Sequence, residues 1–596
     1  MDYLLKPAEI VWDGSSPHSR TYDDIYWHAQ SSAGDSPLAE KGFVFVDPLL
    51  RLVGKPQGRT QVTVGELGFG FGINCLLTAQ AWKTMPPECR LDFISIEKHP
   101  VDKQSLSRVL AHHDLSYATA LLAQYPPAFR GQHVIWLADN IRLLLIFDDV
   151  EPALANLDAR ADFWYLDGFA PSKNADMWQP ALYKKLFARS RPGATVATYS
   201  AAGDVRRGLE QSGFTVSKEK GFGQKRDMLK AKSPGTWEIK RRPNDEVIII
   251  GGGLAGQYCA EALHRRGITN QIIDSGTPGP SHIPQLSVMP QLAIAPETQY
   301  RFSLNACQYM QTSPGYQDTG VIWQGHGIEE TERLLKIAAQ FTNDIIESTA
   351  TGEVIYHRCG WLSFETLKQS VAADTRRSNI TKLHYGENDG RWHCHSREGH
   401  VASADQIILA TGFDQLLMPV QLQLRAIRGQ AISVETSGIT RVINGRVTVF
   451  PTEQGRSVIS GTYARNTSML IDQAQIKELA DLAGELIALD ESTAEALVGI
   501  RTTTRDRLPV IGESPDWSTL EGTNRVSAGF GRQAGLYFCS AFGSRGATHA
   551  RLCAEHLANK ILGEPTALGL AEQQMLSPAR FVIRDSTVQA PRGSSD

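Results

Sequence analysis

The chain has 596 residues, too many for a single hydrophobic core, which predicts two to four domains. Hydrophobic residues are 42% and charged residues 21% of the total, which excludes a disordered or fibrous chain and predicts folded domains throughout. The formal net charge of -4 excludes a molecule that is basic overall, so any nucleic-acid surface must be local.

The opening "MDYLLKPAEIVWDG" lacks the basic-then-apolar order of a signal peptide, and no apolar run reaches the roughly 20 residues that span a bilayer. A cytosolic protein with no membrane partner is expected. The 8 cysteines are scattered without close pairs, which argues against a disulfide framework or a metal site and predicts buried thiols. A monomer is expected.

The first stretch with chemistry in it is "VTVGELGFGFGINCLLTAQAW", a strand, a glycine loop and a helix. Glu66 ends the strand, and Gly68, Gly70 and Gly72 let the backbone pass close to a ligand. A carboxylate there suits a cationic or hydroxyl-rich ligand, so the pattern favours S-adenosylmethionine over a dinucleotide; a glycine-rich turn without a ligand is the alternative. "LDFISIEKHP" predicts the next strand, ending in Glu97, placed for ribose hydroxyls. "HVIWLADNIRLLL" predicts a third strand followed by Asp139, available to an adenine amino group. "ADFWYLDGFAPSKNADMW" and "PGATVATYS" predict a fourth and a fifth. Strands alternating with helices predict a parallel sheet with its ligands at the strands' carboxyl ends.

Asp167 in "YLDGFAP" follows the fourth strand, with Phe169 as an aromatic wall. The loop resembles the Asp-Pro-Pro-Tyr type of amine-directed methyltransferases, in which an acidic or amide group accepts a hydrogen bond from the substrate amine. Methyl transfer needs the nitrogen lone pair in line with the methyl group. A helix N-cap or turn residue is the alternative role for Asp167. Next comes "VSKEKGFGQKRDMLKAK", with Lys218, Lys220, Lys225, Arg226, Lys230 and Lys232. It is either a solvated strand edge or a phosphate-contacting surface.

"SPGTWEIKRRPND" has neither apolar period and marks a boundary. Expected units are 1–235, a linker at 236–245, a second domain at 246–585 and a polar tail at 586–596. In the second domain, "VIIIGGGLAGQYCAEAL" joins a strand through Gly251, Gly253 and Gly256 to a helix, and Asp274 ends the next strand about 20 residues later. This is an ADP-binding fingerprint that both FAD and NAD satisfy. Three later segments favour FAD. "ADQIILATGFD" carries Thr411 and Gly412 after an apolar strand, a form common in two-domain flavoproteins. "GIRTTTRDRLPVIGESP" and "GLYFCSAFGSRGATHARLCAEHL" resemble the closing segments of the D-amino-acid and glycine oxidase class. That resemblance points to Arg501 as the grip on a substrate carboxylate, with Arg505 nearby. It also brings the turn Gly543, Ser544, Arg545 and Gly546 to the flavin. A planar guanidinium can donate two parallel hydrogen bonds to a carboxylate, although an isolated "RTTTRDR" also reads as surface arginines.

Together "YDDIYW", "ELGFGFGINCL", "YLDGFAPSKNADMW", "KGFGQKRDML", "IIIGGGLAGQYCAEAL", "TRDRLPVIG" and "AFGSRG" resemble, in this order, the bifunctional tRNA 5-methylaminomethyl-2-thiouridine biosynthesis family. The resemblance implies an α/β chain: a Rossmann-like class I methyltransferase domain, then a two-subdomain FAD oxidoreductase with a dinucleotide-binding part and a mixed-sheet substrate part. It implies FAD and S-adenosylmethionine, and a tRNA substrate with a carboxymethylaminomethyl group on its wobble uridine. The flavin domain would remove the carboxymethyl group, and the first domain would methylate the exposed amine. Phe169, Lys173, Asn174 and Trp178 would line the acceptor site, and the basic hairpin would contact tRNA. After Asp274 the sequence "SGTPGPSHIPQLSVMPQL" departs from the family's usual Ser-Gly-Asn and glycine-containing loop. The resemblance leaves two alternatives: a free glycine or sarcosine oxidase fused to a small-molecule methyltransferase, and a tRNA methyltransferase or binding protein with an impaired flavin domain.

Overall fold

The computed structural model describes residues 2–26, 37–223, 226–371, 373–414, 416–520 and 531–581, so Lys225 and the tail fall outside the described residues. Thr60–Leu67, Ile141–Phe147 and Ala161–Leu166 are buried at every position. Runs of this kind need cover on both faces, the condition of a parallel sheet between helices. In space the strands run 215–220, 227–232, 190–198, 161–166, 60–67, 89–97, 141–147 and 131–138. The five from 190–198 to 141–147 are parallel, with Val64 between Phe93 and Phe163, and both edges are antiparallel. The parallel strands therefore present their carboxyl ends on one side.

The structure corrects the expectation for Asp139. Gly131–Ala138 and Ile141–Phe147 are antiparallel partners, and Asp139 and Asn140 form the turn between them. Asp-Asn is turn chemistry, and the short apolar run "IRLLLIF" fills an internal strand where a helix or loop was expected. Leu91 pairs with Ile141 and Glu97 with Phe147, so Asp139 lies at the amino end of its strand, away from the ligand side. Asp148 and Asp149 stand at the carboxyl end instead.

In the second half, Val247–Ile250 is buried throughout and sits inside a six-stranded sheet ordered 374–377, 270–274, 247–250, 406–409, 532–540 and 510–515. All its pairings are parallel except the last. Ile250 pairs with Leu409 and Leu409 with Phe538, so the segments that leave these strands, at Gly251, Ala410 and Ala541, emerge side by side. An eight-stranded mixed sheet completes this half; its long strands Arg425–Glu435 and Asp490–Thr503 pair antiparallel, with Ile427 opposite Arg501.

The two halves share one hydrophobic cluster that includes Trp164 and Leu186 from one and Tyr258 and Leu557 from the other. Beside it lies a buried ionic network. Arg142 donates to Asp92 Oδ1 (2.8 Å), Glu555 Oε1 (3.1 Å) and the Pro565 carbonyl (2.7 Å). Arg266 pairs with Glu555 and donates to Glu564 Oε2 (2.8 Å), while Arg90 and Arg242 approach Glu564 Oε1 at 3.4 and 3.5 Å. The Trp136 ring is flanked by the guanidinium groups of Arg90, Arg266 and Arg265 at 4.6, 5.0 and 5.1 Å. The segment expected as a linker is laid against the first half. Trp237 Nε1 donates to Asp162 Oδ1 (3.0 Å), and Lys240–Arg241 adds a short strand to Thr60 and Gln61. All eight cysteines are buried and free. Among the described residues no helix is long and apolar enough to cross a membrane.

Candidate active sites

A cavity of about 1120 Å³ opens at the carboxyl ends of the first sheet. Single-ligand pockets are typically about 300–1,000 Å³, so this one has room for a cofactor and an acceptor together. Its floor is a chain of polar contacts. Ser95 Oγ donates to Glu66 Oε2 (2.6 Å), and Asn74 Nδ2 donates to Glu66 Oε1 (2.9 Å) and to Asp167 Oδ2 (2.7 Å). The Lys41 ammonium pairs with the same Asp167 oxygen. Asn74 is in the first turn of helix Ile73–Trp82, which Gly72 caps at φ +69°. Lys41 ends the short helix Pro37–Lys41, where a π-helical turn, Gly42–Val46, begins. Such turns are rare and concentrate at functional sites.

Burial governs the acids of this floor. Glu66 is 1% exposed, and burial pushes its carboxyl up to about 8, against the hydrogen bonds from Ser95 and Asn74. Glu97 is also raised by burial, although its carboxylate accepts from the backbone N–H groups of Gly70 (2.9 Å) and His99 (2.8 Å). The wall is aromatic. Phe169 lies 4.9 Å from Tyr22 and 5.0 Å from Tyr26, and Tyr26 lies 5.0 Å from Phe71, all centroid to centroid. Asp24 Oδ2 accepts from the Ala170 N–H (3.1 Å), tying the N-terminal hairpin to the loop after Asp167.

Gly68, Gly70, Glu97, Asp167, Phe169 and Asn174 line the cavity as expected from the sequence. Glu66 sits one layer below and reaches it through Asn74. Gly72 shapes the helix entry. Two of the expected lining residues are set back. Lys173 pairs with the exposed Asp23 (2.5 Å) on the outside, and Trp178 braces the loop by donating from Nε1 to the Phe169 carbonyl (2.9 Å). The basic hairpin adjoins the cavity, because Phe222 and Gly223 line it and Arg226, exposed, directly precedes the returning strand Asp227–Lys232. Part of its charge is used internally, Lys218 with Asp227 (3.5 Å) and Lys230 with Glu219 (2.5 Å). Lys225 lies outside the described residues. Sequence reasoning missed Lys41, Asn74, Tyr22, Tyr26, Asp148 and Asp149. The available signals were a polar residue opening the apolar helix "INCLLTAQAW" and the acids that follow "LLLIF".

In the second half the residues fit an ADP group. A Cβ on Gly251, at φ +111°, would strike the Ala410 carbonyl, and one on Gly256 would strike the Gly251 carbonyl. The loop and helix Leu254–His264 are thus packed as closely as the fingerprint requires. Gly253 precedes that helix without a side-chain cap of its own. Asp274 accepts from the N–H groups of Gly252 (2.6 Å) and Gly276 (2.7 Å). The loop after Asp274 makes a 3-10 turn at Pro280–His282, in which Ser281 Oγ accepts from the Leu254 N–H (3.1 Å). Thr411 and Gly412 follow the strand beside Gly251, and the Gly543 N–H donates to the Thr502 carbonyl (2.8 Å). Ser544 and Arg545 complete that turn, and Gly546 opens helix Gly546–Leu562 within 3.7 Å of Leu254, measured from a would-be Cβ. Burial lowers the Arg545 guanidinium. Arg501 lies on the long strand Asp490–Thr503, donates to the Thr462 carbonyl (2.8 Å) and stacks over Tyr463 at 4.5 Å. Arg505 is exposed in the turn beyond it.

The sheets and sites define a methyltransferase fused to a flavin-dependent oxidoreductase. A family model for S-adenosyl-L-methionine-dependent methyltransferases matches residues 113–234, and one for FAD dependent oxidoreductases matches 246–560. The tRNA 5-methylaminomethyl-2-thiouridine biosynthesis bifunctional protein MnmC of Cupriavidus necator is 32% identical over 98% of this chain and 99% of its own. Proteins of that name from Chromohalobacter salexigens (31%, covering 98% and 94%) and Maricaulis maris (32%, covering 97% and 97%) match likewise. The chain belongs to the MnmC family of bifunctional proteins.

Proposed function

We propose that this chain performs two successive steps on the wobble uridine of tRNA. The observation that carries the reading is a methyltransferase-type cavity with an acid at its floor, locked to a dinucleotide-binding half in a chain similar end to end to the bifunctional relatives. That full-length similarity disfavours both a free amino-acid oxidase and an impaired flavin domain. Residues 1–235 form the methyltransferase unit, 246–585 the oxidoreductase, and 236–245 the join. A tRNA substrate makes a cytoplasmic, monomeric enzyme the simplest form of the reading.

The substrate carries a carboxymethylaminomethyl group, in effect a glycine joined through nitrogen to the base. Arg501 holds its carboxylate through two parallel N–H donors, which fixes where the carbon next to the nitrogen lies. Gly251, Gly253, Gly256, Asp274, Thr411, Gly412 and the turn Gly543–Gly546 hold FAD, and Arg505 adds positive charge for the tRNA backbone. FAD held there would supply the two-electron oxidation of that carbon. Water then cleaves the resulting substrate imine, leaving an aminomethyl group and glyoxylate.

In the first unit, Gly68, Gly70, Glu97 and the acids at Asp148 and Asp149 hold S-adenosylmethionine, which supplies the methyl group. The base stacks among Tyr22, Tyr26 and Phe169, and Asn174 shapes the acceptor end. Asp167 accepts a hydrogen bond from the amine and aims its lone pair at the methyl carbon. Lys173 and Trp178 brace the loop from behind. Lys220, Lys225 and Arg226 contact tRNA phosphates, a salt-sensitive contact without base specificity, while the base enters each pocket unstacked.

Two variants divide the reaction. With substrate tRNA and S-adenosylmethionine, Asp167→Ala accumulates the aminomethyl nucleoside and Arg501→Ala leaves the starting nucleoside, as read by mass spectrometry of digested tRNA. Normal formation of the methylated product by both variants would refute the site assignments.

A further inference from the structure

Asp167 is approached from two directions on one of its oxygens. Lys41 and Asn74 both bind Oδ2, and Oδ1 accepts no hydrogen bond among the described residues. Lys41 is also largely withdrawn from solvent, its side chain 19% exposed beside an Asp167 side chain that is 16% exposed. The ammonium is therefore a fixed part of the floor rather than a surface charge that happens to lie nearby.

An unaccompanied carboxylate creates a difficulty for the proposed methyl transfer. A carboxylate in a half-buried pocket stabilises an amine as its ammonium, because an opposite charge at contact favours the charged form. An ammonium has no lone pair to give. The site must recognise the amine by a hydrogen bond without retaining its extra proton.

We propose that Lys41 is a positioning residue for methyl transfer: its charge, held on Asp167 Oδ2, lets Oδ1 orient the acceptor amine without fixing it as an ammonium. This rests on the reading of the first unit given above. In the step itself, the acceptor ammonium first loses a proton to water. The nitrogen lone pair then forms the N–C bond while the C–S bond of the sulfonium breaks, its electron pair staying on sulfur. The product secondary ammonium gives a second proton to water.

The surrounding groups leave this task to Lys41. Glu66 on the strand below feels both Asp167 and Lys41, and burial keeps it protonated below about pH 8, so it adds no second negative charge at neutral pH. Tyr199, after the strand Ser190–Thr198, faces Asp167 with Asp24 of the N-terminal hairpin and Glu40 of the Lys41 helix; burial holds its hydroxyl protonated. Those neighbours are neutral or acidic, and Asn74 carries no charge. Lys41 supplies the positive charge at this carboxylate.

The test is the pH dependence of methyl transfer by the full-length protein to aminomethyl tRNA, measured as kcat/KM from pH 6 to 10. In Lys41→Met the acidic limb moves up by about one pH unit, the expected scale for removing one contact charge at a half-buried site, so activity falls about tenfold on that limb and recovers near pH 10. Lys41→Arg retains the wild-type limb. The shift persists in a Glu66→Gln background, which removes the other group that titrates in this range. A loss that is equal at every pH, or an unshifted limb, overturns the inference; a thermal melt of each variant identifies one that has failed to fold, and Lys41→Arg then decides by whether it holds the wild-type limb. Absence of methyl transfer by the wild-type protein at every pH would instead remove the proposed acceptor and the inference with it.

Discussion

Glu66 shows how one buried side chain sets a pH dependence for the molecule. Its folded carboxyl titrates near 8, above the usual value of about 4.5, so between those values the folded state binds more protons than the unfolded chain. Stability contributed by this site is present at low pH and is lost as pH rises from about 4.5 through 8. Glu66→Gln keeps the shape without the ionisation, so it flattens that decline by on the order of a few kcal/mol. Denaturant unfolding at pH 5 and pH 8.5 checks this, and an equal effect at both would count against it. At the neighbouring Asp167, the conservative Asp167→Asn slows methyl transfer about hundredfold while the flavin step continues, a split measurable with separate nucleoside substrates. The acids and glycines of this floor were legible because each ends a strand or opens a helix in a recognisable order. Lys41 was not legible, since it reaches Asp167 from 126 residues away and belongs to no motif. Asn74 was visible only as a polar residue where an apolar helix begins.

The hairpin 131–147 is an element whose topology the sequence hides. The run "IRLLLIF" has no alternation to mark it as a strand, because it is buried on both faces, and periodicity cannot separate such a strand from a buried helix. The two-residue turn at Asp139 then looked like the end of a strand, and the adenine-side acid was placed at the wrong end of the sheet. The glycine fingerprints were legible in both halves of the chain; in the second, close backbone packing at Gly251 and Gly256 leaves no room for a side chain. The basic hairpin was legible in composition but not in its pairings. Lys230 is engaged with Glu219, whereas Lys220 and Arg226 are exposed. Lys220→Ala and Arg226→Ala should each weaken tRNA binding across sequences and lower the slope of log K against log salt by about 0.7–0.9. Lys230→Ala should change it less. Titrations between 50 and 200 mM salt distinguish these outcomes, and equal slopes for all three variants would contradict them.

Across the whole molecule, the junction between halves is the feature least visible in the sequence. Arg142 and Glu555 are separated by 413 positions and Arg266 and Glu564 by 298, and no local pattern announces either pair. Four arginines converge on Glu564, so Glu564→Gln leaves several buried cations short of a partner and should cost about 3–5 kcal/mol. The network also fixes the acid limit of stability. Burial alone would raise the Glu555 carboxyl, yet Arg266 and Arg142 hold it at about 2, and Glu564 is likewise held low. Their contribution is complete above the unfolded value of about 4.5 and is lost as pH falls toward 2. One cooperative transition on acid titration, followed by far-ultraviolet and flavin signals together, is the expected result. A junction this closely joined ties the two sites together, so under the proposed function tRNA would present its wobble base to each in turn. The most direct test is the mass of the wobble nucleoside after purified full-length protein meets carboxymethylaminomethyl tRNA. Without S-adenosylmethionine the nucleoside becomes aminomethyluridine with release of glyoxylate, and with it methylaminomethyluridine; an unchanged wobble nucleoside under both conditions would contradict the account.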